Sequence, residues 1–174
     1  MATYREIATA SVTSSGTQTI DITGIPDTFT DLVLHGSLRD NGTSNWFLIT
    51  FNNDASSLYY QRTMWAGAST HATLYHSNTS RTNIIVDAIT DSLHTANVFN
   101  NCMLYIPRYA GNKNKTCFIE SVSEHDATNL AIRLMTAAKW TVTSPITSIQ
   151  IKQTVSGFAA NSTVSLYGIS TSTS

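Results

Sequence analysis

The sequence predicts an all-β protein, an antiparallel sandwich or barrel of about ten strands folded as one domain. Three observations carry that prediction. Apolar residues recur with period two in segment after segment. Turn-forming residues separate those segments at fairly even intervals. The length of 174 residues suits a single domain with a core of its own.

Each element follows from its alternation. In Asp31–Arg39, Leu32, Leu34 and Leu38 share one face while Asp31, His35, Ser37 and Arg39 lie mostly on the other, as in a half-buried strand. Phe47, Ile49 and Phe51 repeat this, as do Ile20 with Ile22, Ile149 with Ile151, and Val164 with Leu166. These are aliphatic or aromatic side chains, mostly β-branched, which suit a pleated surface packed on one side. Further strands are expected at about 4–12, 58–64, 82–87, 97–106 and 115–123. Segment 127–139 carries good helix formers, yet Leu130, Ile132 and Leu134 alternate and Trp140-Thr141-Val142 follows, so it reads as a strand. Ser14-Ser15-Gly16, Gly24 to Asp27, Asp40-Asn41-Gly42, Asn52-Asn53-Asp54, Gly111 to Asn114 and Ser156-Gly157 supply the turns. Residues 66–80, rich in Ser, Thr and Gly, read as an exposed loop region, residues 1–8 as a short N-terminal arm and 170–174 as a polar tail.

Composition narrows the function. Only 12% of residues are charged, net charge is −1, and Ser with Thr fill 48 positions, so the surface is hydroxylic and nearly neutral. Nucleic-acid binders rely on a basic stripe, and basic attachment to membranes needs one too, so neither partner is expected. The longest aliphatic run is Ile84-Ile85-Val86, far short of a membrane helix, and Met1 to Ile7 carries no secretory signal pattern. Cys102 and Cys117 fall at interior-looking positions, open to reduced core packing or to a cross-strand bridge. The sequons at Asn41, Asn78, Asn114 and Asn161 match the abundance of Asn, Ser and Thr.

No constellation of catalytic residues stands out. His71 and His76, five apart, would face opposite sides of a strand and share no metal. Glu124-His125-Asp126 point in different directions and have no nucleophile motif beside them. No carboxylate pair can be nominated for glycoside hydrolysis, and no phosphate-cradling glycine spacing occurs, so no cofactor, metal or catalytic residue is assigned. Trp46, Tyr59, Tyr60, Trp65 and Tyr75 lie in or beside the loop-rich stretch; core packing, an interface and sugar stacking are the readings open to them.

Several blocks carry a resemblance. Tyr4 to Thr9, Ile25 to Leu34, Ile49 to Asn53, Tyr105 to Gly111 with Lys115 beyond, and Phe158 to Ile169 together resemble a family of small all-β virion proteins of tailed bacteriophages. The similarity runs from about residue 3 to residue 169. It implies a jelly-roll-like sandwich assembling as a homotrimer, located on the virion and made in the host bacterium, with no catalytic residues. The leading expectation is a capsid decoration (cement) protein on the outside of the head, in contact with the major capsid protein. The alternative is a tail-fibre or receptor-binding module that recognises host glycan through Trp46, Tyr59, Trp65 and Tyr75. Ala2, Thr3, Tyr4 and Arg5 are expected at a shell or neighbour contact, since a strand-forming terminus can add to an exposed sheet edge.

Overall fold

The computed structural model describes residues 2–44, 46–67, 70–75, 80–87, 89–125 and 130–171, and only the backbone of 70–75, 124, 125, 130, 131 and 171. Among them the chain forms twelve strands in chain order: β1 Ala2–Ser11, β2 Thr19–Thr23, β3 Asp31–Leu38, β4 Trp46–Phe51, β5 Tyr59–Gly67, β6 Thr70–Tyr75, β7 Ile84–Asp87, β8 Asn100–Pro107, β9 Lys115–His125, β10 Leu130–Trp140, β11 Ser148–Lys152 and β12 Thr163–Thr171. They make two antiparallel sheets, an eight-stranded one ordered β1-β12-β3-β8-β9-β10-β5-β6 and a four-stranded one ordered β2-β11-β4-β7.

The pairing is nested. β1 pairs with β12, β2 with β11, β3 with β8 and β4 with β7, so the chain is a folded ribbon wound over itself, which is jelly-roll-like. β5 and β6 are inserted between β4 and β7, and β9 and β10 between β8 and β11; together they extend the larger sheet beyond β8. The core lies between the sheets. Leu32, Leu34, Leu104, Ile106, Val164 and Leu166 of the larger sheet meet Ile20, Ile22, Phe47, Ile49, Phe51, Ile149 and Ile151 of the smaller one, all essentially inaccessible. Each such side chain contributes about 1.5–3 kcal/mol by leaving water.

Local chemistry closes the ends. Asn52 and Asn53 both take positive φ, and Asp54 N–H returns to Phe51 C=O at 2.9 Å, a two-residue reversal that Asn tolerates. The Asp40-Asn41-Gly42 turn is organised by a fully buried carboxylate, which accepts from Gly42 N at 3.0 Å, Ser44 N at 2.8 Å and Ser156 Oγ at 2.6 Å. The Lys115 ammonium donates to Gly111 O and Thr143 O at 2.6 and 3.2 Å, and burial pulls its pKa down. Gln61 completes the free edge of β7: Ile85 N–H donates to its Oε1 at 2.7 Å, and its Nε2 donates to Ile85 O at 3.0 Å. A side-chain amide there substitutes for the next strand.

Three sequence expectations change and one open choice is settled. Within 66–80, the backbone of Thr70–Tyr75 is a strand, because Thr63, Met64 and Trp65 ladder with Tyr75, Leu74 and Thr73. The N-terminal arm is laddered along β12 from Ala2 to Ser11, with Ile7, Ala8 and Ala10 packed on the core. Ser170 and Thr171 of the expected tail pair with Thr3 and Ala2, while 172–174 lie outside the described residues. Cys102 and Cys117 are free and buried, which settles the choice in favour of core packing. Segment 127–139 is a strand as read, though its described part runs from Leu130 to Trp140.

Candidate functional site

The four-stranded sheet covers only one face of the eight-stranded one, and the opposite, outer face is built by register. Two rows cross the strands side by side. One runs Glu6, Tyr167, Val33, Tyr105, Phe118, Ala137, Arg62; the next runs Thr9, Ser165, His35, Met103, Glu120, Met135, Met64. Their neighbours along each strand point inward, so every residue in these rows faces outward.

Over the jelly-roll half, β1-β12-β3-β8, the face is aromatic and hydroxylic. Val33 and Ile169 are 5% and 8% exposed, yet lie on this outer side and not in the core cluster. Their cross-strand neighbours are tyrosines: Tyr105 and Tyr167 flank Val33, and Tyr4 stands opposite Ile169. The Tyr105 hydroxyl donates to Asp31 Oδ2 at 2.8 Å, and burial followed by this carboxylate raises its pKa. His35 meets the Tyr167 ring edge-on, centroids 6.1 Å apart at 69°. Tyr4 stays 65% exposed. Beside these rings lies a trough of about 470 Å³, with Ser37, Asn101, Thr163 and Ser165 along it and Tyr4, His35 and Tyr167 among its walls. The Ser165 and Thr9 hydroxyls share a 2.8 Å hydrogen bond, and Thr9 donates on to Glu6 at 3.0 Å.

Over the extension, β9-β10-β5, the inner side joins hydroxyls and an amide to Tyr59, Ile119, Leu134, Ala138 and Trp140 of the core. The buried side carries Gln61, Thr63, Ser121, Ser123 and Thr136, and Thr63 Oγ1 bonds Thr136 Oγ1 at 2.8 Å. The exposed side carries Met64, Met135 and Val122 at 47%, 44% and 40% exposure. Arg62, Arg133, Lys139 and Glu120 are exposed among them, and Lys139 Nζ sits 4.9 Å over the Tyr60 ring.

The residues named from the sequence do not form one patch. Ala2, Thr3, Tyr4 and Arg5 are exposed on β1, the outermost strand. Tyr60 is half-buried on the outer face of β5. Trp46 is half-buried on the far side of the smaller sheet, opposite Asp87 on β7. Trp65 opposes buried Leu134 and packs on the core, and Gly67 leaves room for its ring, since a Cβ there would lie 2.5 Å from it.

Tyr59 corrects an expectation: at 0% exposure it is a core residue, not an interface residue. Phe51 N–H donates to its hydroxyl at 2.9 Å, and that hydroxyl reaches Asp54 O at 3.0 Å. Its ring stacks on Trp140 at 6.2 Å and 16°. Burial alone would raise the Asp54 carboxyl, but hydrogen bonds from Ser56 and from Trp140 Nε1, the latter at 2.8 Å, outweigh it and hold the pKa below its ordinary value.

For Tyr75, His71, Glu124 and His125 only the strand backbone is described, and His76 and Asp126 lie outside the described residues. Among the described residues no three His, Cys, Asp or Glu side chains gather as metal ligands. His35, Tyr105 and Tyr167 were not singled out from the sequence. Outward alternation flags them, but only the register β12-β3-β8 brings them together. Compared with protein-family models, curated proteins and solved structures, the chain matches none.

Proposed function

We propose that the chain is a non-catalytic structural protein of a bacteriophage virion, a decoration (cement) protein that assembles as a homotrimer on the outside of the head. The observation that carries this reading is the apolar surface on the outer side of the extension, where Met64, Met135 and Val122 stand exposed among Arg62, Arg133 and Lys139. Exposed apolar surface rimmed by charge is characteristic of a contact surface.

The occupant is a second copy of the chain. Arg62 and Glu6 occupy the same register row, six strand spacings apart, roughly 29 Å at 4.8 Å per strand. A head-to-tail contact lays Arg62 of one subunit against Glu6 of the next, and such contacts make a ring when the rotation between subunits closes. The shell is then gripped by three copies at once, so that modest contacts sum. The resemblance of the Tyr4–Thr9 and Phe158–Ile169 blocks to phage virion proteins supports the same reading, and within those blocks Tyr4–Thr9 of β1 pairs with Ser165–Ile169 of β12.

The test uses the whole chain and purified heads lacking it. The wild type sediments as a trimer and saturates the heads, while Met64→Glu/Met135→Glu keeps its melting behaviour, sediments as a monomer and loses most of its occupancy. A wild type that stays monomeric at every concentration and leaves heads bare overturns the proposal. So does finding it at a few copies on the tail.

A further inference from the structure

We infer that the trough on the outer face of β12, β3 and β8 is a binding site for a neutral saccharide. Its lining runs from the level of Tyr4, which opposes Ile169, to Thr163, six residues along β12 and roughly 20 Å at the usual strand rise. That is an elongated slot, longer than one pyranose ring. At one end stand exposed Tyr4 and the edge-on pair of Tyr167 and His35, and aromatic rings take up the apolar C–H face of a sugar. Along the rest stand Ser37, Asn101, Thr163 and Ser165, whose hydroxyls and amide both donate and accept, as sugar hydroxyls require.

Charge decides the class of ligand. The lining contains no Lys or Arg, so no permanent cation is there to pair with phosphate, sulfate or carboxylate, and Glu6 at the margin repels them. Two other surface recesses among the described residues lack this combination. The one over Leu48, Thr50, Gln150 and Lys152 has no aromatic wall, while the one at Tyr60 has Lys139 over the ring. The trough is also preorganised, because β12, β3 and β8 are each laddered on both sides. It occupies the jelly-roll half of the face, apart from the Met64 and Met135 surface, and does not depend on where the protein sits in a particle.

The experiment screens the full-length chain against an array of neutral and anionic oligosaccharides and titrates the strongest neutral one by calorimetry. Binding to neutral glycans is expected, weakened about five- to tenfold by Tyr167→Ala, the scale of one lost aromatic contact. Ser37→Tyr fills the slot from an exposed position, so it abolishes binding without a folding defect. Lys152→Ala, on the outer side of the smaller sheet and away from the trough, binds as wild type. The inference is overturned if no neutral glycan binds, if only anionic ones do, or if Ser37→Tyr, folded by its thermal melt, binds as tightly as wild type.

Discussion

Replacing Tyr59 by Phe separates a core role from an interface role. The ring and its stacking on Trp140 and Phe51 remain, so no cavity opens. What disappears is one hydroxyl that accepts from Phe51 N–H at 2.9 Å and donates to Asp54 O at 3.0 Å. Phe51 is fully buried, so its N–H is left without a partner in an apolar layer. An orphaned buried donor costs about 1–3 kcal/mol. For a domain of this size about 2 kcal/mol lowers the Tm by roughly 4–8 °C. Urea titration followed by Trp fluorescence should show a lower midpoint with an unchanged slope, since native packing is kept. Sedimentation and particle binding should match wild type under conditions where the variant is folded. An unchanged midpoint, or lost association at full stability, would refute the reasoning and return Tyr59 to the surface.

Three further outcomes follow from the same packing. Burial pushes both Cys102 and Cys117 up to about 12 from an ordinary 9.0, so neither thiol should react with Ellman's reagent at pH 8 until the chain unfolds. Because the folded values are the raised ones, that stability is complete below about pH 9 and is lost as pH climbs toward 12; at pH 10 the loss is on the order of 1 kcal/mol per thiol, and urea titrations of wild type and Cys102→Ala/Cys117→Ala should diverge accordingly. Gly157→Ala places a Cβ 2.4 Å from Gly16 backbone at φ +75 and should cost at least about 2 kcal/mol, whereas Gly24→Ala, at φ +69 with open space around it, should cost about 1 kcal/mol by thermal melt. Asp40→Ala strands the Gly42 and Ser44 amides and the Ser156 hydroxyl, an expected loss of about 2–4 kcal/mol by the same assay.

How far the sequence could be read depends on which half of the larger sheet is considered. In the jelly-roll strands the inward positions are aliphatic or aromatic, as in Leu32 with Leu34, Phe47 with Ile49, and Val164 with Leu166, so hydrophobic alternation reports burial directly. In the extension that signal weakens. Thr63, Ser121 and Thr136 point in beside Ile119, Leu134 and Trp140, while Met64, Val122 and Met135 point out, so hydrophobicity alone does not separate the faces. An inner hydroxyl is tolerated where register supplies it a partner, and Thr63 finds Thr136 directly across the ladder. Asn100 Nδ2 likewise reaches Ser121 Oγ at 2.9 Å.

The tyrosines make the same point from the other side. Tyr4, Tyr59 and Tyr167 look alike in a string of letters, and composition gives each the same choice between core and surface. Register separates them. Tyr59 opposes Trp140 on the inner face and is sealed, Tyr167 opposes Val33 on the outer face and roofs it, and Tyr4 on the last strand has no further neighbour in its sheet. A surface built this way is placed by long-range pairing between residues 4 and 169, or 33 and 167, and no local window of sequence contains both partners. The binding face is therefore a property of how the ribbon is wound. A one-residue shift of β1 against β12 would turn Tyr4 and Glu6 away from this face and leave Tyr167, His35 and Tyr105, held by β12, β3 and β8, in place.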